Sequence, residues 1–177
     1  MLASSFQSSR LVARLPLPSD SARIFSAYAS KPEVSRFMMW RPHKDISETD
    51  DFVSECIAAV RAGTRYPYVL TERANPGVLI GMLEARPSGH TVDIGYVLAP
   101  EYWGRGYMPE AVATLAEHAL GEAGFFRVQA FCDVQNIPSQ RTLEKAGFAR
   151  EGRHDRFVVH PNLSEEPRPC FMYARCR

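Results

Sequence analysis

The chain has 177 residues, of which 45% are hydrophobic, and its formal net charge is +1. This length suits one domain with a substantial core, and the near-neutral charge argues against nucleic acid or an anionic membrane as a partner. No apolar run reaches the length of a membrane span. The four cysteines have no C-x-x-C spacing, and no histidines pair at metal-ligand intervals. We therefore expect a cytoplasmic globular protein with reduced thiols and no metal.

The start of the chain is rich in serine and lacks the apolar core of a secretory signal. We expect residues 1–9 to be a loose tail and residues 10–177 to form the single domain. Residues 10–15 alternate as an edge strand that two prolines end. Ser19 or Asp20 then predicts the cap of a helix.

A run of large side chains, residues 38–43, follows in a predicted loop. Loops that hold aromatic side chains on a rigid scaffold often bind ligands, which makes Trp40 and His43 candidates for contact with a substrate. The alternative is that these side chains only plug the core. Residues 47–50 then have the form of a capping box, which predicts a helix that ends at Gly63.

Three strands with turns between them come next, at residues 66–71, 78–86 and 91–98, and this order predicts an antiparallel meander. The third strand alternates apolar residues with Asp93 and Gly95 at a period of two. Glu84 and Asp93 are acids on adjacent predicted strands.

A glycine-rich loop connects this strand to an amphipathic helix. Gly104 and Gly106 flank Arg105, and Pro109 suits the first helical turn. A helix N-terminus presents unpaired N–H groups, and glycines let an anion approach the backbone closely. The pattern therefore favours a phosphate site, while a simple tight connection between strand and helix stays open as the alternative.

The rest of the chain predicts a strand at residues 126–132, a helix that starts near Asn136 and ends at Gly147, and two further strands. The whole pattern is mixed α/β.

Two segments in this order resemble the GNAT acyltransferases, and in particular their RimJ/RimL-like branch. Residues 94–107 match the wording I-G-Y…P-x-Y-W-G-x-G-Y, and residues 136–148 match N-x-x-S-x-R-x-L-E-K-x-G-F. The broader GNAT loop pattern is Gln/Arg-x-x-Gly-x-Gly/Ala. This chain departs from it with Trp103 at the first position and Met108 at the last.

The resemblance implies an α/β fold of the α+β type: a twisted, mostly antiparallel seven-stranded sheet flanked by helices, whose splayed central strands hold acetyl-CoA. It implies acetyl transfer from acetyl-CoA to a primary amine by direct attack on the thioester. The acceptor would be a protein N-terminus, such as that of a ribosomal protein, or a small amine. The chain would be a monomer or a homodimer.

Two other classes compete with this interpretation. A non-catalytic acyl-CoA-binding regulatory module would keep the glycine loop, and Ser139 beside Asn136 argues modestly against it. A nucleotide-binding P-loop protein is excluded because no G-K-[ST] follows the loop.

The resemblance also implies the residues of the donor site. Backbone groups of Tyr96, Val97 and Leu98 would contact the pantetheine and thioester, and the Asn136 amide would hydrogen-bond the pantetheine. The pyrophosphate would be held by the loop residues Trp103, Gly104, Arg105, Gly106, Tyr107 and Met108.

Many family members carry a tyrosine seven residues after that asparagine as a proton donor to the thiolate. This chain has Leu143 there, which cannot donate, so the resemblance points to Ser139 as the donor to the coenzyme sulfur. The alternative is that Ser139 only satisfies backbone groups at the helix start.

The sequence offers two alternatives for the general base that accepts the proton of the amine. Glu84 and Asp93 would lie near the cleft and are our candidates, but an isolated acid near a strand end is more often solvated or paired. A relay through water, backbone and Tyr or His groups is the alternative.

Overall fold

The computed structural model describes residues 2–177, and eight strands within them form one sheet. The strands are β1 Ser5–Gln7, β2 Leu11–Arg14, β3 Tyr66–Glu72, β4 Asn75–Ser88, β5 Thr91–Leu98, β6 Arg127–Asp133, β7 Ala149–Val158 and β8 Arg168–Cys176. Their order in the sheet is β1-β2-β3-β4-β5-β6-β8-β7. Neighbours are antiparallel except for β5 and β6, which are parallel. The expected mixed α/β, mostly antiparallel sheet is therefore confirmed.

The helices are α1 Ser21–Ile24, α2 Pro32–Ser35, α3 Ile46–Arg61, α4 Tyr107–Gly121 and α5 Ile137–Lys145. A 3₁₀ turn precedes α1, and a π-helical turn follows it. The cap of α3 is Asp45, whose carboxylate accepts a hydrogen bond from the Ser47 backbone N–H at 2.9 Å, so the capping box predicted at residues 47–50 is wrong. Within residues 2–177, no helix is both long enough and apolar enough to cross a bilayer.

The two faces of the sheet bury separate apolar clusters. The larger includes Val92 and Ile94 of β5 together with Leu115 of α4. The smaller lies on the opposite face and joins Val53 of α3 to Met82 of β4. Because successive side chains of a strand point to opposite faces, β4 and β5 contribute to both clusters.

The start of the chain differs from the expectation. The predicted loose tail at residues 1–9 is wrong for its described residues, and Met1 lies outside them. Ser5–Gln7 pairs with β2, and Phe6 is buried with its ring 5.1 Å from the Tyr68 ring. The physical reason is that this apolar side chain finds a place in the main core. The sheet consequently has eight strands instead of seven, and residues 10–15 are not its edge.

The parallel strands β5 and β6 pair over only three residues and then diverge. The two strands are paired only from Thr91 to Asp93 on β5, although β5 continues to Leu98 and β6 to Asp133. The β6-facing edge of residues 94–98 is therefore left without a strand partner. Since buried backbone N–H and C=O groups require hydrogen-bond partners, this opening suits an extended ligand. The expected splay of the central strands is confirmed.

Strands β4 and β5 are in close contact at Gly81, near the end of β5. A Cβ atom at Gly81 would lie 2.4 Å from the Val97 carbonyl oxygen and 3.1 Å from the Leu98 Cα. No real Cβ atom tolerates the shorter distance, so any other residue must push the end of β5 away from β4.

We expect Gly81→Ala to lower the free energy of unfolding by about 1–3 kcal/mol, the usual cost of overpacking. Chemical denaturation measures this change. Gly152→Ala is the matched control, because nothing lies within 4 Å of its added Cβ, and its effect stays within about 0.5 kcal/mol. Equal losses in the two variants would contradict a steric role for Gly81.

Candidate active site

The side chain of Tyr96 crosses from β5 to the first turn of α5. Its hydroxyl lies 2.8 Å from the Ser139 Oγ and donates to the Ser139 carbonyl oxygen at 3.2 Å. This contact joins two residues that are 43 positions apart. It places a pair of hydroxyl groups beside the opening between β5 and β6.

The two side chains that contact the Ser139 hydroxyl, Tyr96 and Cys132, are neutral near pH 7. Burial raises the pKa of Tyr96 far above its ordinary value, although the hydrogen bond with Ser139 opposes the shift. Burial also raises the pKa of the Cys132 thiol to about 12, despite a hydrogen bond with Ser139 that lowers it. Both side chains therefore keep their hydrogen, and the cluster offers O–H donors rather than charges.

Asn136 sets the start of α5. Its Oδ1 accepts a hydrogen bond from the Ser139 backbone N–H at 3.2 Å, and Pro138 occupies the first turn. Asparagine at the cap and proline in the first turn are typical of a helix start. The motif thus fixes Ser139 in the first turn, with its side chain toward Tyr96.

The loop before α4 has a backbone conformation that favours glycine at two positions. Gly104 and Gly106 have φ angles of +75° and +77°, in the left-handed region that favours glycine. Gly106 is the N-cap, and no side chain caps the helix. The guanidinium of Arg105 lies 5.5 Å from the centre of the Tyr102 ring. An uncapped N-terminus next to a cation suits an anionic group.

Three other predicted loop residues have different environments. The Trp103 indole N–H donates to the Leu98 carbonyl oxygen at 2.8 Å, and 48% of Trp103 is exposed. The Tyr107 hydroxyl donates to a carboxylate oxygen of Glu72. Met108 is buried in the main core, so only its backbone remains available to a ligand.

Glu84 and Asp93 both accept hydrogen bonds from the guanidinium of Arg86. The Arg86 guanidinium donates to Glu84 Oε1 at 2.8 Å and to Asp93 Oδ1, and Arg65 lies 3.4 Å from the other Glu84 oxygen. The lack of a side chain at Gly95 leaves room for Arg86, whose Nη1 is 3.3 Å from where a Cβ would lie. By the alternation of β5, this cluster lies on the face opposite to the Tyr96 side chain.

Trp40 and His43 are neighbours in the loop between α2 and α3. Their rings are 5.7 Å apart, and His43 Nδ1 lies 2.7 Å from the Thr49 hydroxyl oxygen. Burial lowers the pKa of His43, so the imidazole is neutral at pH 7. Trp40 packs against the smaller apolar cluster, as does Val97 of β5. The pair therefore lies on the same face as Glu84 and Asp93.

The predicted residues thus form two groups on opposite faces of β5. Sequence reasoning missed Arg86 and the side-chain role of Tyr96. Tyrosine within an otherwise apolar stripe was the available signal for the second, because a buried phenol needs a hydrogen-bond partner. Among residues 2–177, no three His, Cys, Asp or Glu side chains cluster as metal ligands do.

Several known proteins are similar to this chain in sequence or in fold. The uncharacterized N-acetyltransferase p20 of Bacillus licheniformis is 25% identical over 135 residues, which cover 75% of this chain and 76% of that protein. The crystal structure of a GNAT-family acetyltransferase from Bacillus anthracis has a TM-score of 0.84 and 25% identity, and covers 97% of this chain and 98% of that one. RimL, described as a ribosomal L7/L12 alpha-N-protein acetyltransferase in complex with coenzyme A, has a TM-score of 0.83 at 20% identity, with 96% and 95% covered.

The family model described as "Acetyltransferase (GNAT) domain" matches residues 10–149. This match includes β2 to β6, the glycine loop and the helix that carries Ser139. The chain therefore belongs to the GNAT family of acetyltransferases.

Proposed function

We propose that this protein moves the acetyl group of acetyl-CoA to a primary amine, which attacks the thioester directly. The opening between β5 and β6, with the Tyr96–Ser139 hydroxyl pair beside it, is the main support for the proposal. RimL, whose fold this chain shares, is described as a complex with coenzyme A, which supports acetyl-CoA as the donor.

The donor follows the unpaired edge of residues 94–98 with its pantetheine arm. Backbone groups of Tyr96, Val97 and Leu98 contact the arm and the thioester. Asn136 uses its Oδ1 as the helix cap, which leaves the N–H donors of its amide for the pantetheine. The pyrophosphate lies against residues 103–108 and the N-terminus of α4, where Arg105 supplies positive charge.

Collapse of the tetrahedral intermediate releases a thiolate, which requires a donor. The Ser139 hydroxyl donates a hydrogen bond to the sulfur. Its Oγ then accepts the hydrogen of the Tyr96 hydroxyl, which turns from the Ser139 carbonyl oxygen to the Oγ 2.8 Å away. Because the pKa of Tyr96 is raised by burial, the phenol remains a donor throughout the neutral range. Linked hydrogen bonds polarise one another, so this pair stabilises the developing negative charge better than Ser139 alone.

The amine approaches from the other face of β5. Trp40 and His43 lie on that face and contact the acceptor, and Glu84 or Asp93 accepts the proton of the amine directly or through water. The acceptor is a protein N-terminus or a small amine. The description of RimL as an alpha-N-protein acetyltransferase supports the first class.

The proposed setting is the cytoplasm, where the chain acts as a monomer or homodimer. Its four cysteines form no disulfide, which suits a reducing compartment.

The first test is thiol release from acetyl-CoA with a panel of acceptors: N-terminal peptides of ribosomal proteins, polyamines, aminoglycosides and amino acids. We expect turnover on one class, which then identifies the acceptor. Tight acetyl-CoA binding without turnover on any amine would favour the regulatory module instead. Failure to bind acetyl-CoA would overturn the proposal.

We expect Ser139→Ala to lower kcat by roughly 100-fold, as loss of a positioned proton donor does, with little change in the KM for acetyl-CoA. Tyr96→Phe lowers kcat by roughly tenfold, the value of one hydrogen bond. Steady-state kinetics measure both. Thr142→Ala is the control, because its hydroxyl lies on the same helix and bonds only the Pro138 carbonyl oxygen. A wild-type kcat in Ser139→Ala would mean that Ser139 only satisfies backbone groups at the start of α5.

The base is tested by the pH dependence of kcat/KM in Glu84→Gln and Asp93→Asn. Loss of the proton acceptor lowers kcat/KM by roughly 100-fold across the pH range. We expect this result in one variant, while the other keeps the wild-type profile. Wild-type profiles in both variants would exclude these acids as the base. The relay through water, backbone and Tyr or His groups would then be the proton acceptor.

A further inference from the structure

The N-terminal segment reaches the glycine loop through Arg10. The Arg10 Nε lies 2.6 Å from Glu110 Oε2, and its Nη1 donates to the Arg105 carbonyl oxygen at 3.0 Å. Its guanidinium carbon lies 4.4 Å from the centre of the Tyr107 ring. One side chain therefore holds the middle of the loop and the first turn of α4 together.

Glu110 lies in the first turn of α4, where its negative charge opposes the binding of an anion. The Ser8 hydroxyl donates to its Oε1 at 2.6 Å, and the Arg10 backbone N–H donates to the same atom at 2.7 Å. Burial alone would raise the pKa of Glu110, but these bonds and the Arg10 side chain hold it below its usual value. The carboxylate is thus ionised, and Arg10 compensates its charge.

Arg10 also limits the freedom of the loop. Gly104 and Gly106 both adopt left-handed backbone, and glycine loses more conformational freedom on ordering than any other residue. The carbonyl that Arg10 holds belongs to Arg105, between these glycines. The segment itself is fixed, since Arg73 donates to the Ser8 and Ser9 carbonyl oxygens at 3.2 and 3.4 Å.

We propose that Arg10 is a positioning residue for the diphosphate of the donor: it pre-orders the Gly104–Gly106 loop and compensates the charge of Glu110. The proposal rests on the proposed function, because it assumes that acetyl-CoA binds at this loop. Pre-ordering saves part of the entropy that a ligand otherwise loses in fixing its site. Arg10 contributes to binding of the donor and not to the chemical step.

The test is steady-state kinetics of Arg10→Met with acetyl-CoA. We expect the KM for acetyl-CoA to rise about tenfold, the size of one coupled contact in a network, while kcat is unchanged at saturation. Arg10→Lys keeps the charge near Glu110 but lacks the fork of donors that also reaches Arg105. We therefore expect the KM of Arg10→Lys for acetyl-CoA to lie between those of the wild type and Arg10→Met.

Two controls separate positioning from general stability. S-acetyl-pantetheine lacks the nucleoside diphosphate, so Arg10→Met and the wild type have the same kcat/KM with this donor. Arg14→Met changes an arginine on β2 that is bonded to Asp20 at 2.7 Å through two nitrogens, with no contact to the loop. This variant lowers the Tm but leaves the KM for acetyl-CoA unchanged.

The outcomes distinguish the two proposals. A wild-type protein that does not bind acetyl-CoA contradicts the proposed function and this inference with it. If the wild type binds, a wild-type KM in Arg10→Met and Arg10→Lys overturns the role of Arg10 alone. Equal losses with acetyl-CoA and S-acetyl-pantetheine would also overturn it, because the effect would then not depend on the diphosphate.

Discussion

The early end of the ladder between β5 and β6 is the constraint on which the site depends. Pairing stops after Asp93, so five further residues of β5 keep one backbone edge without a strand partner. β4 holds the other edge of β5 over its whole length, and this support lets the opening persist. The helices α4 and α5 begin near the two sides of the gap, because each follows one of the diverging strands in the chain. The glycine loop and the Ser139 hydroxyl thereby lie near the two sides of the same gap.

β5 also separates the two halves of the proposed reaction. Its even-numbered residues face α4, and Tyr96 among them meets Ser139. Its odd-numbered residues face the opposite side, where Asp93 meets Arg86 and Val97 packs with the smaller apolar cluster. In the proposed reaction, the alternation of the strand therefore keeps the leaving sulfur and the incoming amine on different faces of β5.

Local patterns predicted the parts of the fold that depend on local physics. The alternation of β5, the glycine loop and the left-handed Gly147, with a φ of +83°, are all as expected. Strand β1 has only three residues, too few for a period, and its pairing became evident only from the core that buries Phe6. The contacts of Tyr96 with Ser139 and of Arg10 with Glu110 join residues 43 and 100 positions apart. No local propensity encodes such contacts, because they follow from how the whole sheet brings its ends together.

The hydrogen bonds of Ser8 and Arg10 with Glu110 affect the order in which the chain folds. These contacts close a loop of about one hundred residues, the span from Ser8 to Glu110 being 102 positions. The entropy of such a closure grows only slowly with length, but contacts of large sequence separation form slowly. During synthesis the segment with Ser8 and Arg10 precedes Glu110 by about one hundred residues. The first turn of α4 therefore gains these contacts only after the whole span between the two segments has been made.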